Sequence, residues 1–584
     1  MAQDPKDGIA RLGRLDRGFR SRYLDHAELT EQLEAWAEAF PELCHLEVLD
    51  RTEEGREIWL LTVGREPGRR RPGVWVDGNM HASELAGSSV ALAIAEEALR
   101  LHLEPGQLPL GLPEPMRAAL EGALFYVCPR MSPDGAEAVL KTGRYVRSVP
   151  RDERQQRNAP RWRSQDVDGD GLSFLMRVPD PAGEFVASDE VEGLMLPRRP
   201  GDPGPYFRLY PEGVIESFDG HTIPDPHYLA DNDPDLNRNF PWSWAPEPEQ
   251  SGAGAFPTSE RESRAVVRFA SEHPNLYAWL NLHTFGGVFI RPLGDEPDTK
   301  MNPGDTALFR QLEVWAEGLT GYPMVSGFEE FTYDPEQPIR GDLSEWAYRN
   351  RGCLAMVCEL WDLLERIGVP RPDRYVERYG RLERDHLLEL GRWDRQVNQG
   401  RTLHPWVAAE HPQLGPVEVG GVDPRVGMWN PPYELLGEVC EKLSAFWMHV
   451  ASLLPRVEVE ALRLHALEEG AHHLELKVAN LGYLSTAGLP SSAALPHNEP
   501  LLATLECLDP GIRLPPGTPD RIELGQLTGW GRGLHHASEA LYSMRSRGSS
   551  CRRTLGWTLL GAGKVRVRVG NCRVGFFELE QTIG

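Results

Sequence analysis

Apolar runs of strand length alternate with helix-period patterns through the first two thirds of the chain, which predicts an α/β domain on a mixed, mostly parallel sheet flanked by helices. Val74-Trp75-Val76 ends in Asp77-Gly78 and is followed by a helical pattern from Glu84 to Arg100; Leu276 to Leu282 runs into His283, and Leu354 to Cys358 into Glu359. Ligands of open α/β sheets gather beyond the carboxyl ends of the strands. If these three runs share one sheet, His81, Glu84, His283 and Glu359 meet. The stretch from Ser164 to Pro234 is rich in Asp, Gly and Pro, with little periodicity, and reads as an insertion with short elements of its own. Pro372 to Val397 reads as a charged, solvated outer helix, and a further helical pattern from Pro431 ends at Pro455.

Beyond Pro455 the period changes to two. Leu474, Leu476 and Val478 alternate with Glu475 and Lys477, and Val565, Val567 and Val569 with Arg566 and Arg568, as in half-buried strands. The boundaries expected are therefore 1–455 for an α/β domain and 456–584 for an all-β sandwich.

Composition narrows the class. With 584 residues, 40% of them hydrophobic and 26% charged, the chain supports more than one core. A formal net charge of -25 leaves little basic surface for phosphate neutralisation, so nucleic acid is not an expected partner. The first 25 residues are densely charged and lack the apolar segment of a secretory signal, and no later run is long enough to span a bilayer, so a cytoplasmic protein without a membrane partner is expected. The eight cysteines form no close pair and read as reduced thiols.

His81-Ala82-Ser83-Glu84 puts an imidazole and a carboxylate three residues apart at a strand-to-helix junction, where both can face one point. Zinc in a catalytic site takes three such ligands and keeps one position open, and His283, at a strand end, is the candidate third. Asp166, Asp168 and Asp170 in DVDGDG are spaced like the start of a calcium loop, but Arg177 stands where the bidentate glutamate belongs, and an Asp/Gly turn is the alternative.

The motifs DGNMHASE, CPRMSPDG, DLNRNFPW, NLHTFGG and CELWD follow one another in that order between Tyr23 and Leu364. This set closely resembles the zinc carboxypeptidase family of the carboxypeptidase A type. The resemblance implies zinc on His81, Glu84 and His283, Asp235 orienting His81, and Glu359 as catalytic carboxylate, with Trp346 in the expected place ahead of it. Glu418 in GPVEVGG is the competing acid. Asn237 and Arg238 match the pair that binds the substrate's α-carboxylate. Arg163 resembles the arginine that stabilises the oxyanion, with Arg161 as its alternative, and Tyr333 the tyrosine that covers the bound C-terminal residue. At Ser83 carboxypeptidase A relatives carry an arginine that helps bind extended substrates, so that contact is expected to be absent. Ser344 falls where the family sets side-chain preference, and a small neutral residue there leaves specificity open. An activation segment ahead of the catalytic region is not expected.

The function implied is release of C-terminal residues from peptides. The alternatives are a zinc amidohydrolase that deacylates amino acids or trims modified peptides on the same scaffold, or a binding relative without turnover. The C-terminal β-domain carries no catalytic cluster and is expected to serve stability or substrate access.

Overall fold

The computed structural model describes residues 5–104, 106–151, 159–226, 234–533, 546 and 548–584; part of the expected insertion, 227–233, lies outside them. An eight-stranded mixed sheet is built from β1 (Cys44–Arg51), β2 (Glu57–Val63), β3 (Gly73–Gly78), β4 (Leu124–Cys128), β5 (Leu276–Thr284), β6 (Val288–Arg291), β7 (Met324–Ser326) and β8 (Leu354–Leu360). Its spatial order is β1-β2-β4-β3-β5-β8-β6-β7. The central strands β4, β3, β5 and β8 run parallel. Every residue of β3, β4 and β5 is buried, the continuous apolar reading of strands covered on both faces.

The three runs singled out in the sequence are neighbours. β5 pairs with β3 through Leu282 opposite Gly78 and with β8 through His283 opposite Glu359, so their carboxyl ends open at one place. Helices Ala86–Leu103, Arg261–Glu272 and Leu343–Arg351 pack on the sheet, and Tyr433–Ala451 buries Leu436, Leu443, Phe446 and Trp447 against the same core.

Short strands lie within residues 164–234. Leu175–Pro179, Phe207–Pro211, Phe185–Ala187 and Met195–Pro197 form an antiparallel sheet completed by Leu403–His411 and Gly415–Val422. Glu418 belongs to this sheet and takes the Nε–H of Arg177 at 2.8 Å. The expected outer helix from Pro372 to Val397 is not one helix. It divides into a short turn, Glu377–Gly380, and a helix, Arg384–Gln396. The break follows from buried polar anchoring: Arg378 is 1% exposed, pairs with Asp362 at 2.8 and 3.0 Å and donates to the Val369 carbonyl, fixing the first half against the sheet.

After Leu454, two four-stranded antiparallel sheets follow, one ordered Val457–Ala466, Ala471–Asn480, Arg552–Gly561, Ile512–Arg513, the other Arg521–Gly525, Leu501–Cys507, Gly563–Asn571, Gly575–Ile583. The alternating residues Leu474, Leu476, Val478, Val565, Val567 and Val569 are all fully buried. All eight cysteines are unpaired. Among the described residues no helix is long and apolar enough to cross a membrane.

Arg573 ties the C-terminal sheets to the strand that carries His283. It is fully buried, donates to the carbonyls of Leu276 at 2.9 Å and Ala487 at 2.7 Å, and lies over the Tyr277 ring at 4.3 Å. Arg573→Ala removes two charge-assisted hydrogen bonds and leaves both carbonyls buried, and is expected to cost about 2–4 kcal/mol in urea unfolding. A change within about 0.5 kcal/mol, the range of ordinary surface substitutions, would show that this contact does not couple the two parts.

Candidate metal centre and substrate cleft

The turn after β3 is tight because Gly78 meets Gly87: a Cβ on Gly78 would lie 2.5 Å from the Gly87 carbonyl group. Asn79 then adopts φ +55°, and its amide donates to the carbonyls of His81 at 2.9 Å and Ala82 at 3.0 Å. Asn430 clamps the other side, donating to Ser83 O at 2.8 Å and accepting from Ala86 N–H at 2.9 Å. His81 and Glu84 are thus held on a short loop with little freedom.

Three groups converge there. His81 Nδ1 stands 2.8 Å from Glu84 Oε1, His283 Nδ1 stands 3.0 Å from Glu84 Oε2, and the two Nδ1 atoms are 3.0 Å apart. The outer nitrogen of each ring faces an acceptor: Asp235 Oδ1 lies 3.1 Å from His81 Nε2, and Asn281 Oδ1 lies 2.6 Å from His283 Nε2. Acceptors there require Nε2 to carry the proton, so the network sets both Nδ1 lone pairs toward one point beside a carboxylate. Such a set repels itself unless a cation lies among its members. Two imidazole nitrogens and a carboxylate are the donors zinc takes in catalytic sites, so the residues fit that metal. Burial disfavours the charged form of Glu84; without a metal, protons on the facing ring nitrogens would outweigh it and hold the carboxyl at about 2, and a cation at the same point does the same work. Loss of solvent works the same way at Asp235, where Arg147, Arg238 and His81 prevail and keep the carboxyl well below its usual range. Asp235 also accepts the Asn237 N–H at 2.8 Å, so it caps its turn while orienting His81.

Behind His283 lies a second buried acid. Asp77 is fully buried, its Oδ2 accepting the indole N–H of Trp75 and of Trp279 at 2.8 Å each, while its Oδ1 accepts from the Asn281 amide. Burial raises its carboxyl to about 7 against the pull of these three donors. The Asn281 amide is thereby oriented, nitrogen to Asp77 and oxygen to His283.

A cavity of about 630 Å³ opens over these groups, lined among others by Glu359, Arg147, Asn237, Arg238, Tyr333 and Ser344. The Glu359 carboxyl has no hydrogen-bond partner among the described residues, while its backbone carbonyl accepts the Gly287 N–H at 2.8 Å. Burial and the Glu84 carboxylate raise its carboxyl well above the usual range, with Arg147 opposing. Arg147 reaches Asp235 at 3.0 Å and stands 3.8 Å from Glu84. Asn237 is buried and its Oδ1 accepts the Leu343 N–H at 2.9 Å, which leaves its amide nitrogen for the cavity; Arg238 is half-buried beside it. Tyr333 is 66% exposed at the rim. Trp346 is buried in the helix that starts at Leu343.

Other expected residues lie elsewhere. Arg163 does not line the cavity: it sits on a two-stranded ribbon, Arg161–Ser164 with Gly213–Glu216, where both Arg161 and Arg163 pair with Glu216. Glu418 is likewise outside. The calcium reading of Asp166, Asp168 and Asp170 is not supported. Asp166 and Asp168 gather with Glu212 instead, and their oxygens and those of Glu212 accept backbone N–H groups of Gly169, Gly171, Asp170, Val167 and Phe174, the bonding of a polar turn.

Sequence reasoning missed Arg147, Asn281 and Tyr379. Arg147 arrives through long-range backbone pairing, Ala82 N–H donating to its carbonyl at 2.8 Å, which no local pattern announces. Tyr379 comes from the segment read as solvated, its hydroxyl donating to Phe285 O at 2.7 Å. Asn281 was legible in principle, two residues before His283 and so on the same face of the strand.

A cleft at the carboxyl ends of a mixed sheet, with an imidazole–carboxylate–imidazole centre, defines an α/β protein with a candidate metal site. The zinc carboxypeptidase family model matches residues 29–185 and 217–383, more than half of the chain, and the chain belongs to that family. The break between the two matched stretches falls within the expected insertion. A Domain of unknown function (DUF8731) matches residues 456–582. Human carboxypeptidase A6 is 22% identical over 332 residues, 55% of this chain and 56% of its own; Drosophila melanogaster carboxypeptidase D is 26% identical over 454 residues, 75% of this chain and 26% of its own. The chain thus spans about half the length of the first of these relatives and about a quarter of the second. Among solved structures, thrombin activatable fibrinolysis inhibitor is similar with 15% identity and a TM-score of 0.40, covering 68% of this chain and 80% of its own.

If Asn281 holds the His283 ring in its metal-facing tautomer, Asn281→Ala should weaken zinc binding by about 10- to 100-fold in chelator competition, with an unchanged circular dichroism spectrum. Unaltered affinity would show that the ring needs no such partner.

Proposed function

We propose that the protein is a zinc-dependent carboxypeptidase that hydrolyses the C-terminal peptide bond of peptides with a free carboxylate. The observation that carries this reading is that one cavity holds the convergent His81, Glu84 and His283, the unpartnered Glu359, and the Asn237–Arg238 pair. An acid, a metal site and a carboxylate anchor are the three parts an exopeptidase needs.

Zinc held by His81, Glu84 and His283 would supply Lewis acidity, polarising the scissile carbonyl and lowering the pKa of water. The remaining work falls to side chains. Arg238 and the Asn237 amide bind the substrate's α-carboxylate through charge-assisted hydrogen bonds. Glu359, held high in pKa by burial, takes a proton from the attacking water as its oxygen bonds to the carbonyl carbon, and delivers it to the leaving nitrogen as the C–N bond breaks. Arg147 takes over the role expected of Arg163, facing negative charge on the former carbonyl oxygen. Tyr333 closes over the bound residue from the rim.

The amidohydrolase alternative uses the same metal and acid; Asn237 and Arg238 favour a substrate with a free α-carboxylate over a modified peptide that lacks one, and turnover of peptides beside acylated amino acids separates the peptidase from a deacylase. Zinc-loaded protein incubated with peptides should release single C-terminal amino acids. Glu359→Gln should lower kcat by about 10²- to 10⁴-fold with zinc content unchanged. Release of internal fragments only, or turnover of acylated amino acids alone, would overturn the proposal.

A further inference from the structure

Besides the groups around the metal site, Glu359, Arg147 and Arg238, the cavity wall carries three more acidic or basic side chains, Arg291, Asp342 and Glu345. Their charges are not matched alike. Arg291 is gripped by both oxygens of Asp298, with Nη1 2.8 Å from Oδ1. Glu345 is buried and accepts from Arg349 at 2.9 Å and from Gly294 N–H at 3.0 Å; burial, against the pull of Arg349, raises its carboxyl to about 7. These two groups meet a substrate already compensated.

Asp342 does not. No cation pairs with it among the described residues. Its Oδ1 accepts the Glu345 N–H at 2.8 Å, capping the helix Leu343–Arg351, and also the Ser344 hydroxyl at 2.6 Å. Two donors on one oxygen fix the side chain, and Oδ2 accepts no hydrogen bond among the described residues. The position is close to the carboxylate anchor: Leu343, the next residue, donates its N–H to Asn237 Oδ1 at 2.9 Å, and a Cβ on Gly341 would lie 2.2 Å from the Arg238 carbonyl oxygen. Asp342 lines the same cavity as Asn237 and Arg238, so a residue whose α-carboxylate rests on that pair shares the cavity with an unpaired, half-buried carboxylate. Such a charge is costly alone and favourable with a cation in hydrogen-bonding contact.

We infer that Asp342 selects a basic side chain, lysine or arginine, at the substrate's C-terminus, and that Ser344 acts as its positioning residue. This rests on the exopeptidase reading above. Ser344, its hydroxyl spent on Asp342 Oδ1, thus bears on specificity through that carboxylate, which explains how a small neutral residue serves there.

Two readouts test it. The first is kcat/KM on peptides that differ only in a C-terminal Arg, Lys, Leu, Phe or Glu; the second is calorimetric binding of free L-arginine and L-leucine to the zinc-loaded protein. Arg and Lys peptides should be preferred and Glu poorest. Asp342→Asn keeps an N-cap and an acceptor oxygen, and should lower the Arg-to-Leu ratio by about 10- to 100-fold, chiefly through KM, with a matching loss of arginine affinity. Ser344→Ala should give a smaller drop of the same kind. Leu or Phe released as fast as Arg, or a ratio untouched by Asp342→Asn, would overturn this inference and leave the exopeptidase standing. No release from any peptide, with arginine still bound through Asp342, would overturn the exopeptidase and keep the basic site; neither release nor binding would overturn both.

Discussion

Two imidazole lone pairs and a carboxylate aimed at one point constrain everything around them. Left to themselves, His81, Glu84 and His283 would rotate apart, because like-signed electron density at 3 Å is unfavourable. They stay because each is held from behind. Asp235 fixes one ring, Asn281 the other, and the Thr284 N–H, donating to Glu84 Oε2 at 3.1 Å, holds the carboxylate. Asp77, buried among two tryptophans, fixes Asn281 in turn. The sheet core and the metal centre are therefore one construction: the indoles that stack at 4.8 Å in the core are the donors that keep Asp77 in place.

The same arrangement gives Glu359 its character. It lies opposite His283 in the β5–β8 ladder, where burial first and the nearby Glu84 carboxylate second raise its affinity for a proton, and its carboxyl makes no hydrogen bond to either histidine. An acid so placed holds a proton more readily than a solvated one. The cavity above it is divided by charge: the anchor side is basic through Arg238 and Arg147, while beyond it the uncompensated group is acidic.

Much of this was legible in the chain. The strands that end at Gly78, His283 and Glu359 were visible as apolar runs, because parallel strands buried on both faces admit few polar residues. The period-two pattern around Leu476 and Val567 likewise announced the C-terminal sheets. What the chain did not announce was side-chain direction across long range. Arg163 was singled out by resemblance alone, but Arg147 reaches the site because residues 146 and 147 pair with the His81–Glu84 loop. The segment around Tyr379 looked solvated by composition, and became part of the cleft wall because Arg378 found Asp362. The resemblance points to Ser344 for specificity, yet its hydroxyl is spent on Asp342, which no periodicity distinguishes from an ordinary helix cap.

The central claim is that His81 Nδ1, His283 Nδ1 and Glu84 hold one zinc ion. Crystals of the zinc-loaded protein, measured on both sides of the zinc absorption edge, test it directly. The account predicts one anomalous peak, about 2.0–2.2 Å from both Nδ1 atoms and a Glu84 oxygen. A peak bound through Nε2, a peak at the Asp166–Glu212 turn alone, or none at full zinc loading would contradict it.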